Sequence, residues 1–168
     1  MTTEIPPPVR WRTSEVLAML ARFALGALFI YMGLQKALHP VEFLKLVRQY
    51  DALHSPLSLN LVASALPWFE VFCGVLLVLG IAVRGTAVML LLMLIPFTLL
   101  VYLRAQAMRA TGGLPFCAIK FDCGCGTGEV LICRKLAENA LLMALSAGLV
   151  FWRTGPLCLR PTLLAPVK

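Results

Sequence analysis

Residues 86–104 read TAVMLLLMLIPFTLLVYLR and contain no charged side chain before Arg104. About 20 consecutive apolar residues form a helix long enough to cross the ~30 Å hydrocarbon core of a bilayer. The stretch therefore predicts a membrane-spanning helix, and Pro96 inside it is expected to kink that helix.

Similar blocks recur along the chain, which has 168 residues, 60% of them hydrophobic and 14% charged, and a mean hydropathy of +0.88. Soluble domains are nearer half apolar and a quarter charged. The blocks predict an all-α fold: an integral membrane four-helix bundle with a cysteine-containing loop between helices three and four. The expected helices lie at about 15–38, 60–83, 86–104 and 134–153, within one domain of residues 15–153. Residues 1–14 and 154–168 are expected to be tails.

The first two predicted helices and the segment between them carry further signals. Arg22 lies inside the first block, which favours a retained helix over a cleaved signal peptide. Apolar and charged residues interleave over residues 39–58, which predicts an amphipathic helix on the bilayer surface, with an ordinary connector as the alternative. Helix two is expected to begin between Asn60 and Pro67. Pro67 suits a first turn, and Trp68 would then lie in the interfacial aromatic belt.

The net charge of +7 comes from basic residues that flank the apolar blocks and form no Lys/Arg run. This placement is typical of contacts with lipid headgroups and argues against nucleic-acid binding. Four spanning helices put both termini on one side. We expect that side to be the cytoplasm of a bacterium with the protein in its inner membrane, because the cysteine loop then faces an oxidising compartment where a disulfide persists.

The expected loop contains four cysteines: Cys117, Cys123, Cys125 and Cys133. Glycines at 124, 126 and 128 leave the backbone free to close a strained, exchange-competent ring between Cys123 and Cys125. Three interpretations remain open: a redox-active pair, structural disulfides such as Cys117 with Cys133, and a four-cysteine zinc site. The zinc site is disfavoured because the spacing lacks paired C-x₂₋₄-C steps, so no metal is expected.

Two other features bear on these thiols. Arg134 and Lys135 start helix four and are expected to stabilise a nearby thiolate. Cys158 lies in the C-terminal tail, where it is expected to be a bystander.

Polar residues inside the helices form a second candidate site. A charge at the bilayer centre costs about 2.5–3.5 kcal/mol, so such residues are expected to face the bundle interior. They are Arg22, Lys36, Glu70, Glu138 and Asn139. If helix two enters the membrane near Pro67, then Lys36, Glu70 and Glu138 share one depth near the cysteine loop. Arg22 lies closer to the other face and could extend towards it. The cluster is either a proton relay or an interhelical clamp. Cys73 is expected to be a packing residue.

The chain resembles the DoxX-like superfamily of small four-helix membrane proteins, and within it the MauE (methylamine utilisation) type. The resemblance rests on RFALGALFIYMGLQK at 22–36, PWFEVFCGVLLVLG at 67–80 and the CGCG step at 123–126. It implies thiol redox chemistry: MauE-like proteins are linked to maturation of a disulfide-rich periplasmic dehydrogenase subunit, and some DoxX relatives to quinone reduction. It also implies that Cys123 and Cys125 are the redox pair and that Glu70 is the buried acid. Gly126 departs from the aromatic residue often found there.

Together these features predict an oxidoreductase activity that passes electrons or disulfides between an extracytoplasmic thioredoxin-like or disulfide-rich protein and a membrane quinone. Cys123 and Cys125 would exchange disulfides, Glu70 would handle protons, and Cys117 with Cys133 would form a second pair, either relay or structural. The alternative is a non-enzymatic assembly or structural subunit of a larger membrane complex, with loop disulfides as staples.

Overall fold

The structure, a computed structural model, describes residues 13–49, 55–112, 115–122 and 129–151. Within them lie five α-helices: α1 Thr13–Leu38, α2 Pro40–Gln49, α3 Pro56–Leu79, α4 Val83–Gly112 and α5 Ile132–Phe151. Between α4 and α5 come a 3₁₀ turn, Phe116–Ala118, and an antiparallel hairpin of β1, Lys120–Asp122, and β2, Glu129–Leu131.

Three of the described helices, α1, α3 and α4, are long and apolar enough to cross a membrane. Large apolar side chains such as Phe72 on α3 and Leu92 on α4 are exposed on their outer faces, as expected where a helix meets lipid. Helix α5 differs because Arg134, Lys135 and Glu138 lie in its first two turns. The chain is thus an all-α membrane protein in which three described helices have spanning character.

The helices pack as two antiparallel pairs, α1 against α3 and α4 against α5, with sparser contacts between α3 and α4. A large apolar core joins residues from α1, α3, α4 and α5, including Leu25, Phe29, Leu77, Leu90 and Leu149. The short turn between α3 and α4 makes them antiparallel as well. The start of α1 and the end of α5 therefore lie at one end of the bundle, and α2 and the hairpin lie at the other.

Glycines let the backbones of α1 and α3 touch. A Cβ atom added at Gly26 would lie 2.8 Å from the carbonyl oxygen of Gly74, and one at Gly33 would lie 2.7 Å from that of Pro67. Small residues at helix contacts are a main source of helix association in lipid, where apolar burial gives little driving force. The register of the α1–α3 pair is therefore set by these glycines.

Replacing Gly74 by alanine is expected to destabilise the protein by about 1–3 kcal/mol, because the new methyl group would lie 2.7 Å from a backbone oxygen of α1. Gly85 is the matched control, since a Cβ atom added there would have no atom within 4 Å and alanine is favoured in helices by up to about 1 kcal/mol. Thermal unfolding in detergent measures both. Equal effects of Gly74→Ala and Gly85→Ala would contradict this packing.

The position of Pro67 corrects one expectation. Helix α3 begins at Pro56, with Ser55 at the N-cap position. The proline in its first turn is therefore Pro56 and not Pro67. Pro67 is buried in the middle of α3 against α1, and Trp68 is exposed beside it and not at a helix end. Membrane helices tolerate an internal proline when neighbouring helices support it, as α1 does here.

The connections differ from expectation in two places. Gly80 ends α3 in a left-handed conformation, φ 72°, and the N–H of Ile81 donates to the carbonyl of Leu76, so α3 ends and α4 begins a few residues early. Helix α4 continues past Arg104 to Gly112, because Val101 and Ala105 pack with Ile119 and Ile132 in a second small core. The expected loop is correspondingly shorter and contains the hairpin.

Candidate functional site

A buried ion pair joins α1 to α3. Lys36 Nζ donates to both carboxylate oxygens of Glu70, at 2.6 and 2.8 Å, and the two side chains are 7% and 5% exposed. Lys36 lies one turn after Gly33, and Glu70 lies one turn after Pro67. The close contact between Gly33 and Pro67 therefore also fixes the position of the ion pair. Bidentate geometry of this kind is what allows a charge pair to persist away from water.

The ammonium of Lys36 also faces aromatic rings. Its Nζ lies 5.5 Å from the centre of the Phe43 ring on α2 and 6.0 Å from that of Phe97 on α4. Both distances are within the range of cation–π attraction. Lys36 therefore ties four helices to one point: its own helix and α2, α3 and α4.

Helix α5 adds two more buried polar side chains. Lys135 is 4% exposed, and its ion-pair partner in the described part of the chain is Glu138, whose Oε2 lies 3.9 Å away, beyond hydrogen-bonding distance. Asn139 donates from Nδ2 to Thr98 Oγ1 at 3.1 Å, and Thr98 in turn donates to the carbonyl of Leu94 at 2.7 Å. Lys135 and Asn139 are four residues apart and so lie on one face of α5.

These polar groups line a cavity of about 360 Å³ to which all five helices contribute. Among the described residues, four charged or amide side chains line it: Lys36, Glu70, Lys135 and Asn139. Leucine, valine, methionine, phenylalanine and proline side chains form the remaining wall. The surface is thus apolar except for one group of hydrogen-bonding side chains, an arrangement common in small-molecule sites.

Cys117 and Cys133 form a disulfide, with Cα atoms 5.1 Å apart. It links the 3₁₀ turn after α4 to the second residue of α5. Cys133 packs against the second small core, together with Phe97, which also lines the cavity. The disulfide therefore stands two residues before Lys135, beside the end of the cavity. It also occupies two of the four thiols that a zinc site would require.

The variant Cys117→Ala/Cys133→Ala is expected to lose about 3 kcal/mol of stability, the loop-closure entropy of a crosslink of this length, 16 residues. Wild-type protein treated with reductant should show the same loss in thermal unfolding. Cys158→Ser is the control and should unfold as the wild type does. An unchanged unfolding transition in the double variant would contradict a stabilising role for this bridge.

Cys123 and Cys125 lie outside the described residues. The flanking strands are described, and their register pairs Asp122 with Glu129 across the hairpin. Residues 123–128 thus connect two paired positions, and the hairpin base is tied to α5 by a hydrogen bond from the N–H of Ile132 to the carbonyl of Ile119.

Other predicted polar residues lie elsewhere. Glu138 is only half-buried and pairs with Arg134 Nε at 3.0 Å, because the buried face of α5 follows residues 132, 135, 139 and 142 and excludes position 138. The expectation that Glu138 faces the interior is wrong. Arg134 and Lys135, expected beside a thiolate, both face Glu138.

Arg22 is also separate from the cluster. It is buried, and its guanidinium lies 5.0 Å from the centre of the Phe23 ring. Fourteen residues of helix place it about 21 Å along α1 from Lys36. Cys73 is buried one turn from Glu70 in the large core, where it is a packing residue.

Several residues of the site were not predicted: the cavity residues Phe43 and Phe97, the hydrogen-bond partner of Asn139, Thr98, and the buried position of Lys135. The signal for Lys135 was its spacing of four residues from Asn139, which puts both on the side of α5 that also carries Leu142. Phe43 is the one residue of α2 that is buried, as the amphipathic pattern of that helix allows.

Comparison with known protein families places the chain in a family. No curated protein and no solved structure matches the chain. The family model described as "Methylamine utilisation protein MauE" matches residues 14–153, which includes every helix of the structure apart from the first residue of α1. The chain therefore belongs to the MauE family.

Proposed function

We propose that this protein is a membrane thiol–disulfide oxidoreductase that passes electrons or disulfides between an extracytoplasmic protein and a membrane quinone. The observation that carries the proposal is the position of the Cys117–Cys133 disulfide. It holds the base of the segment containing Cys123 and Cys125 against α5, two residues before Lys135. Lys135 lines a cavity in the bundle that is apolar apart from one group of hydrogen-bonding side chains. Thiol chemistry and a site for a small apolar molecule thus share one end of the bundle.

The reaction has two half-reactions: thiol–disulfide exchange with the partner, and reduction of the quinone. A thiolate of the partner attacks one sulfur of a Cys123–Cys125 disulfide and releases the other as a thiolate. The second partner thiol then resolves the mixed disulfide, leaving the partner oxidised and Cys123 and Cys125 as a dithiol. That dithiol gives two electrons and two protons to a quinone, which becomes a quinol, and the disulfide forms again. Glu70 handles protons during reduction of the quinone. For this, one of the two hydrogen bonds that it accepts from Lys36 must open.

The proposal includes the setting in the membrane. Helix α5 is the fourth spanning helix: its 20 residues reach about 30 Å, and its charges are confined to the first two turns. The antiparallel order of the helices then puts both termini on the cytoplasmic face of a bacterial inner membrane, with the cysteines on the other side. The overall plan is the four-helix arrangement of the DoxX-like superfamily.

A second candidate is a non-enzymatic assembly subunit. The favouring observation is that the Cys117–Cys133 bridge alone would hold the hairpin as a rigid docking surface. In that case the loop disulfides should have reduction potentials below about −300 mV, the range of structural disulfides.

The test uses purified full-length variants Cys123→Ala and Cys125→Ala, each with one exchange thiol left, incubated with a protein that contains several cysteines, reduced ribonuclease A, under mild oxidation. We expect one of the variants to form a mixed disulfide visible on a non-reducing gel, whereas Cys158→Ala gives none beyond the wild type. Absence of any adduct, together with a reduction potential of the loop disulfides below about −300 mV, would refute thiol–disulfide exchange and favour the assembly subunit.

A further inference from the structure

The cavity itself suggests what binds there. Its volume of about 360 Å³ lies within the range of ligand sites, about 300–1,000 Å³, and is sufficient for one substituted six-membered ring. The aromatic side chains on its wall are Phe29, Phe43 and Phe97, from three different helices. A flat apolar ring suits such a wall better than a polar solute, which would lose its hydration without compensation.

The polar side of the cavity is rich in donors. Lys36 and Glu70 satisfy each other through two hydrogen bonds. Lys135 is different: its side chain is 5% exposed, lines the cavity and lies 3.9 Å from its half-exposed partner Glu138. An ammonium has three N–H donors, and no acceptor among the described residues lies within hydrogen-bonding distance of this one. A ligand oxygen placed beside Lys135 could accept from it.

Access to the cavity is from the side of the bundle. Pro96 is exposed and yet lines the cavity, and Val62 and Leu100 on the same wall are half-buried. These residues belong to α3 and α4, the neighbouring spanning helices with sparse mutual contacts. A molecule dissolved in the bilayer could therefore enter between α3 and α4 without crossing water.

We propose that this cavity binds the ring of a quinone and that Lys135 donates a hydrogen bond to one of its carbonyl oxygens, with Asn139 one turn deeper on the same face. The choice of a quinone among oxygen-bearing apolar molecules rests on the proposed function. Reduction of the ring adds two electrons and two protons, and negative charge develops first on the carbonyl oxygens. The ammonium beside one oxygen stabilises that charge, since charge-assisted hydrogen bonds are about twice as strong as neutral ones.

The experiment measures binding of decylubiquinone to the purified full-length protein in lipid nanodiscs by calorimetry. Lys135→Met is expected to weaken binding at least tenfold. Arg134→Met is the matched control: it removes a neighbouring positive charge that is 75% exposed, and binding should stay within twofold of the wild type. Asn139→Leu provides a second test and should weaken binding several-fold while the protein still unfolds cooperatively.

Two results would overturn the inference. One is equal binding by the wild type and Lys135→Met. The other is displacement of decylubiquinone by an equal concentration of decanoate, which would make the cavity a site for fatty acyl chains. The measurement is repeated with Cys123→Ser/Cys125→Ser, which lacks the exchange thiols. If that variant binds decylubiquinone but does not reduce it, the cavity is the binding site, whether or not the proposed thiol exchange is correct.

Discussion

Replacing Glu70 by leucine is expected to lower the free energy of unfolding by about 3–5 kcal/mol, because it leaves the ammonium of Lys36 buried with no carboxylate to balance it. The loss should appear as a lower unfolding temperature in detergent, followed by the helical circular dichroism signal. The loss of stability exceeds the lost attraction between the two charges. The ammonium of Lys36 stays beside the apolar rings of Phe43 and Phe97, where water does not solvate it.

The double variant Lys36→Met/Glu70→Leu should recover most of the loss, because replacing a whole buried pair by apolar side chains is often neutral or stabilising. Arg134→Met is the control: it breaks the i, i+4 pair with Glu138 from its exposed side and should cost less than about 1 kcal/mol. A double variant no more stable than Glu70→Leu would contradict the interpretation of the pair as an interhelical clamp.

Either Cys123→Ser or Cys125→Ser is expected to reduce thiol-dependent quinone reduction to the rate seen without protein. Each substitution leaves one thiol, which can form a mixed disulfide but cannot resolve it within the pair. The measurement is the anaerobic rate of decylubiquinone reduction with a dithiol protein as donor. The fold should be unaffected, since the Cys117–Cys133 bridge still ties the 3₁₀ turn to α5 in both variants.

Cys158→Ser is the control for general loss of a thiol and should retain the full rate. The Cys117→Ala/Cys133→Ala variant separates two roles for the second pair. If that bridge is structural, the rate per folded molecule is unchanged; if it relays electrons, the rate falls as it does for Cys123→Ser. Full activity in both Cys123→Ser and Cys125→Ser would show that the exchange pair has been wrongly assigned.

The spanning helices were largely predictable because an apolar run of membrane length has few alternatives. One error arose because a sequence rule could apply at two positions. Both Pro56 and Pro67 could stand in a first turn, and only packing against Gly33 shows that Pro67 is internal. Similarly, α4 continues beyond Arg104 because of contacts with Ile119 and Ile132, which are distant in sequence.

The candidate site was predictable only in part. A shared depth for Lys36 and Glu70 could be expected from two charges in apolar helices, since each needs a partner. The cavity could not, because its wall combines a few residues from each of five helices, and no local pattern links Phe43 on α2 to Phe97 on α4. The hairpin was missed because two strands of three residues each leave no clear alternation in the sequence.

The most direct test of the account is a single-turnover measurement on the Cys117–Cys133-bridged protein. Cys123 and Cys125 are first reduced with a mild dithiol, the dithiol is removed, and decylubiquinone is added under anaerobic conditions. Alkylation and mass spectrometry then report the state of both thiols. The account predicts that the pair becomes a disulfide as one quinone is reduced per protein. Thiols that stay reduced in the presence of excess quinone would contradict it.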